Sequence, residues 1–288
     1  MTEMRETPGH PGVSTASAGR VRDPQLLTLA VIVLAACAWA VLAVVHPGGH
    51  TWGGTSATVP PVVTPEAHHS AGHSAVVPSS ELVHGVLAVA GWAVMVVAMM
   101  LPPALPLLQT VRRLVARRPD PWRLTTLSAM TFLWSWTAVG AVLVAGDLGA
   151  RRLWAAQNWA STHPGAVAGV VVLAAGIYQF TPLKDRCLRG CRSPHSFALT
   201  YWQGRRSSGT EIVALSGAYA LSCVGCCWVL MLICFTVGVA ALPVMVALSV
   251  LMAAERLVPW GRRLVRPAGL FLGVLGTALL LSSFLSVP

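Results

Sequence analysis

The chain has 288 residues, of which 55% are hydrophobic and 10% charged, a balance that excludes an ordinary water-soluble domain, whose surface needs more ionic groups. Its net charge of +10 does not require nucleic acid, because the cations gather in loops between apolar stretches, where membrane orientation and attraction to anionic lipid account for them. The composition predicts an all-α, polytopic transmembrane helix bundle in contact with the lipid bilayer.

A spanning helix needs roughly 20 apolar residues to cross about 30 Å of hydrocarbon. In chain order, residues 1–25 are rich in Gly, Pro, Ser and Thr and read as a disordered cytoplasmic tail. Residues 26–45 form the first span, whose apolar core is too long and begins too late for a signal peptide. The loop 46–81 contains no Lys or Arg and is expected to be flexible and extracytoplasmic. It holds His46, His50, His68, His69 and His73, and His84 opens the next helix. Neutral imidazoles bind Cu and Zn, so these histidines are candidates for metal capture, the alternative being a polar linker with His by chance of composition.

The remainder, 82–288, reads as a six-helix membrane domain with spans at 82–101, 124–145, 164–183, 212–237, 240–254 and 268–287. Gly238 and Pro243 blur the boundary between the last two but one, so the expectation is about seven spans, with six as the alternative. Eighteen of the 20 Lys and Arg residues fall in alternate loops, which predicts a cytoplasmic N-terminus and an outer C-terminus. All cations but Lys184 are Arg, a usage that points to a GC-rich bacterial genome and so to the bacterial cytoplasmic membrane. The loops are too short for a catalytic domain, and no Walker loop, dinucleotide fingerprint, HExxH or nucleophile elbow is present. Nor is there a repeat of spanning length, as a transporter built of duplicated halves would show.

The stretch "SCVGCCWVL" (222–230) crowds Cys223, Cys226 and Cys227 into five residues of an apolar run. On a helix, residues three or four apart share a face, so Cys223 lies over Cys226 and Cys227, and Cys234 follows two turns later. Hydrocarbon does not solvate a thiolate, so an ionised cysteine there calls for a cation or a metal beside it. A disulfide between Cys223 and Cys227 is disfavoured, since Cβ atoms one helical turn apart are about 6 Å from each other and a bridge needs roughly 3.8 Å. The second span adds Met95, Met99 and Met100, whose thioethers bind a soft ion while staying neutral. The MxxxM spacing is similar to that of the Ctr copper transporters, although Met at helical spacing is also ordinary packing.

A second thiol pair, Cys187 and Cys191, follows the fourth span. If the helix continues past Pro182, both sulfurs share a face, His195 is placed to complete a three-ligand site, and Lys184, Arg186, Arg189 and Arg192 surround them and favour thiolate. A ligand shell shared by Cys187 and Cys223 is not expected, because Cys223 lies about 17 Å along its helix from Ile212, although the fourth and fifth spans both end at the cytoplasmic face, which permits contact near their inner ends. No Asp, Glu, Lys or Arg sits near the middle of a predicted span, which argues against proton-coupled transport. Glu255 and Asp147, at span edges, read as helix caps or anchors.

Four stretches in order, "WAVMVVAMMLP" (92–102), "GIYQFTPLKDRCLRGCRSP" (176–194), "GCCWVLMLICFTVG" (225–238) and "MAAER" (252–256), resemble the DUF2182 family of predicted metal-binding integral membrane proteins. The resemblance covers roughly 82 to 288 and implies metal binding with a link to copper handling. Carried over by motif, it implicates Met95, Met99, Met100, Tyr178, Gln179, Lys184, Cys187, Cys191, Cys226 and Cys227. Where the family motif ends in an acid followed by Lys, this chain has Glu255-Arg256.

The residues thus predict a membrane protein that binds Cu(I), or Zn as the second candidate, through Cys and Met, and holds it or passes it to a copper-receiving protein. Two alternatives stay open. One is an enzyme, a membrane thiol-disulfide oxidoreductase working between Cys187/Cys191 and Cys223–Cys227 with a quinone. The other is a structural subunit in which small residues, as in "GAVAG" (165–169) and "GVLG" (273–276), serve helix packing without metal.

Overall fold

The computed structural model describes residues 16–45, 78–154, 164–204, 206–237 and 242–285. Within them the regular elements are ten α-helices and one 3₁₀ turn, and no strand occurs among the described residues. The helices are α1 (Ala16–Val45), α2 (Pro78–Met100), α3 (Leu105–Leu114), α4 (Pro121–Trp154), α5 (Pro164–Tyr178), α6 (Pro182–Cys191), α7 (Pro194–Tyr201), α8 (Ser208–Val237), α9 (Leu242–Leu257) and α10 (Arg262–Leu285). The all-α expectation holds for this part of the chain. Helix α1 begins earlier than the sequence suggests, so residues 16–25, read as part of a disordered tail, are helical.

Four segments are long and apolar enough to cross a membrane: Pro24–Val44, Pro121–Asp147, Ser208–Cys234 and Arg262–Leu285. Two further candidates are bent pairs, Gly85–Met100 with Pro102–Leu114 at 56° and Gly165–Tyr178 with Pro182–Cys191 at 71°, which raise the number to six if each pair is one span. Both bends fall at prolines, which lack the N–H that continues a helical ladder; Thr181 before Pro182 is pushed out of the helical region, while Leu101 before Pro102 stays within it. The stretch expected as a sixth span of the set of seven lies in α9, whose 16 residues rise only about 24 Å, short of the roughly 30 Å of hydrocarbon.

Helix α8 is the axis of the bundle. It is 56% buried over its spanning window, against 28% or less for the other three long segments, and it packs against α4, α5, α6 and α7. On its far side α5 pairs closely with α10. Gly176 makes that approach possible, since a Cβ there would sit 2.6 Å from the Gly273 backbone nitrogen. The middle of α8, where Cys223, Cys226 and Cys227 lie, is therefore enclosed on several sides.

Candidate metal centre

The centre depends on how the chain leaves α5. Thr181 precedes proline and takes an extended conformation, φ −73° and ψ 144°, as the steric demand of the pyrrolidine ring requires. Its hydroxyl then caps a new helix by accepting from the Lys184 N–H at 3.3 Å, with Pro182 in the first turn and Asp185 complementing the helix dipole. Thus α6 is not the continuation of α5 that the sequence suggested. It turns by 71° and packs along α8. Tyr219 Oη holds it there by donating to the Cys191 carbonyl at 2.9 Å, and Tyr178 Oη, at the end of α5, donates to the carbonyl of Gly225 on α8. Gly225 leaves room for Cys187, whose sulfur would stand 2.5 Å from a Cβ at that position.

This docking brings together two thiol groups whose meeting the sequence leaves open. Cys191 Sγ lies 3.7 Å from Cys226 Sγ. Cys223 stands about one turn before Cys226 and Cys227 on α8. The Cys226 and Cys227 thiols each donate to the Cys223 carbonyl at 3.1 Å, the bond expected of a buried thiol one helical turn along. Cys227 also points to Met100 Sδ at 3.9 Å. All four of these cysteines are buried. The sequence leaves open whether the two thiol groups meet, and the bend that lays α6 against the middle of α8 is what brings Cys191 to Cys226.

A cation completes the cluster, and it is not one of those the sequence nominated. Arg256 Nη2 donates to Cys227 Sγ at 2.9 Å, Cys226 Sγ at 3.1 Å and the Cys223 carbonyl at 3.4 Å. Beside it, Lys184 Nζ and Glu255 Oε2 form an ion pair at 2.8 Å, and Gln179 Nε2 reaches Glu255 Oε1 at 3.5 Å. Lys184, Glu255 and Arg256 are 1%, 2% and 5% exposed, so ionisable groups do occur inside the bundle, and Glu255 pairs with Lys184 there. Arg192 donates to the Glu255 and Pro259 carbonyls at 2.6 and 3.0 Å, tying α9 to the end of α6. Arg189 turns instead to Asp185 at 3.5 Å.

Other candidates lie elsewhere. His195 is exposed in the first turn of α7, since the chain turns at Arg192 and Ser193 before Pro194 opens that helix. The expected Cys187, Cys191 and His195 triad does not assemble: among the described residues no three His, Cys, Asp or Glu side chains form a group able to hold a metal. What the cluster offers instead are sulfur pairs, Cys191 with Cys226 and Cys227 with Met100. Met95 and Met99 are buried in the core, and Cys234 is buried further along α8. His46, His50, His68, His69 and His73 lie outside the described residues. Arg256 was visible in the sequence as a charge following an apolar run, the kind of residue that is costly in a bundle and tends to carry function.

The sequence model of a family described as PpoB2, copper chaperone, matches residues 89–279. No curated protein and no solved structure matches the chain.

Proposed function

The chain belongs to the PpoB2 copper chaperone family, since more than half of its length is matched, and from that premise we propose that it is an integral membrane protein that binds Cu(I) between Cys191 and Cys226 and hands it on. The DUF2182 resemblance agrees with this family in its link to copper and carries nothing further. The observation that carries the proposal is the 3.7 Å separation of the two sulfurs across α6 and α8. Two thiolates about 2.3 Å from an ion stand roughly 3.8 Å apart at a tetrahedral angle and about 4.6 Å apart when they face each other in line, so a movement of under about 1 Å admits a metal between them. Soft thiolate and thioether ligands favour Cu(I), while Zn, the second candidate, generally takes four ligands.

In this reading Cys223, Cys227 and Met100 supply neighbouring sulfur, and Cys187 stands on the approach along α6. His68, His69 and His73 collect copper outside, in the bacterial cytoplasmic membrane with the N-terminus inside, and a copper-receiving protein takes it. Each thiol loses its proton as the metal binds, and the surrounding apolar helices keep water and competing hard ligands away. The test is the metal content of the detergent-purified full-length protein, loaded with Cu(I) under anaerobic reducing conditions, beside a Cys191→Ala/Cys226→Ala variant. Copper near one ion per chain that is lost in the variant supports the reading. No retained copper in the wild type overturns it.

The same sulfur separation favours a second reading, thiol-disulfide exchange. Cys191 and Cys226 sit on different helices, so they escape the spacing that bars Cys223 and Cys227 from bridging. In that reaction two thiols lose two protons and two electrons to a quinone, and one S–S bond forms. A thiol titration that shows reversible loss of two thiols per chain in the presence of a quinone, without copper retention, would select it.

A further inference from the structure

Arg256 is buried among sulfurs, and its two terminal nitrogens differ. Nη2 bonds to Cys226, Cys227 and the Cys223 carbonyl, whereas Nη1 is buried with no hydrogen-bond partner. The carboxylate next to it in sequence, Glu255, is already engaged by Lys184 at 2.8 Å and by Gln179. Lys184 and Glu255 cancel, which leaves the guanidinium as a net positive charge in the cluster. A guanidinium stays protonated in proteins, so this charge is permanent, and a buried permanent charge is costly unless something anionic meets it.

Resting on the reading of these sulfurs as a metal site, we propose that Arg256 determines which metal the site accepts by matching its charge. When two thiols bind an ion they release two protons and become two thiolates. With Cu(I) the two thiolates, the monovalent ion and Arg256 sum to zero. With a divalent ion the same set carries one positive charge in surroundings of low dielectric, where an uncompensated charge is strongly disfavoured. The site therefore selects monovalent soft ions as a class, Cu(I) and Ag(I), against divalent ions even when these are equally soft. Softness of the ligands alone does not separate Ag(I) from Cd(II); charge does.

The full-length protein in detergent, loaded with Cu(I) under anaerobic reducing conditions, is challenged with equal excesses of Ag(I), Cd(II) or Zn(II), and the metals retained after gel filtration are measured by mass spectrometry. The expected result is that Ag(I) displaces copper while Cd(II) and Zn(II) do so less well by tenfold or more. In Arg256→Gln that selectivity against Cd(II) shrinks by on the order of tenfold, and Arg256→Lys, which keeps the charge, restores it. Cd(II) displacing copper from the wild type as readily as Ag(I) overturns the proposal whether or not either variant folds, and so does a folded Arg256→Gln protein with wild-type selectivity. A wild type that holds neither copper nor silver fells the underlying metal reading, an outcome distinct from copper held without charge selection.

Discussion

Cys191 and Cys226 face each other sulfur to sulfur at 3.7 Å, the first from the end of α6 and the second from the middle of α8. Neither helix alone supplies the pair, so each residue is indispensable to it. Cys191→Ala and Cys226→Ala are each expected to reduce bound copper from about one ion per chain to near none, because a lone thiolate is a weak site. Cys37→Ala, on the exposed face of α1, is expected to leave the copper content unchanged. Metal analysis of the four purified proteins checks this, and wild-type copper in Cys191→Ala would refute the pairing.

The Lys184–Glu255 pair is buried on both sides. Removing one partner strands the other charge, at a cost of about 3–5 kcal/mol, whereas replacing both with apolar groups of similar size is often neutral. Lys184→Ala and Glu255→Ala should therefore each lower the thermal unfolding temperature in detergent substantially, and Lys184→Met/Glu255→Met should recover most of the loss. A double variant as unstable as the sum of the single changes would show that the pair is not the source of the cost.

At Gly225 a Cβ would stand 2.5 Å from Cys187 Sγ, far inside van der Waals contact. Gly225→Ala is expected to push α6 from α8 and destabilise the protein by roughly 1–3 kcal/mol, the usual range for overpacking. Adding Cys187→Ala removes the opposing sulfur, so the double variant should be more stable than Gly225→Ala alone. Thermal unfolding of the two proteins, side by side, is the measurement.

Met100 accepts from Cys227 at 3.9 Å, and Met100→Leu keeps nearly the same volume, at a packing cost below about 1.5 kcal/mol. Losing a neighbouring ligand should weaken copper retention by roughly tenfold, in the range seen for groups that support a metal site. Met95→Leu, in the core but not bonded to a thiol in the described contacts, should be neutral. Competition with a Cu(I) chelator read by absorbance distinguishes the two, and equal effects would return Met100 to packing.

The helical bundle was readable because apolar runs of spanning length allow little else in lipid, and the thiols were readable because Cys223, Cys226 and Cys227 recur at one-turn spacing. Their meeting with Cys191 was not. It depends on Thr181 being forced extended by Pro182, and a proline announces a break without giving the direction in which the next helix runs. Arg256 escaped for a related reason: it follows the apolar residues of α9, so in one dimension it looks like the end of a span, while in space α9 delivers it to the sulfurs of α8. Arg186, Arg189 and Arg192 were nominated by nearness in sequence, yet Arg189 and Arg192 go to Asp185 and to backbone carbonyls.

The cluster draws Met100 from α2, Cys191 from α6, Cys226 and Cys227 from α8, and Arg256 from α9. A chain emerging from the ribosome therefore offers its thiols well before the guanidinium that meets them, and the arrangement closes only after α9 has been made. Growing chains present these cysteines without their cation, and the finished bundle buries them beside the Arg256 guanidinium. The order of synthesis thus makes completion of the fold the condition for that arrangement, so that an unfinished or truncated copy lacks the matched site altogether.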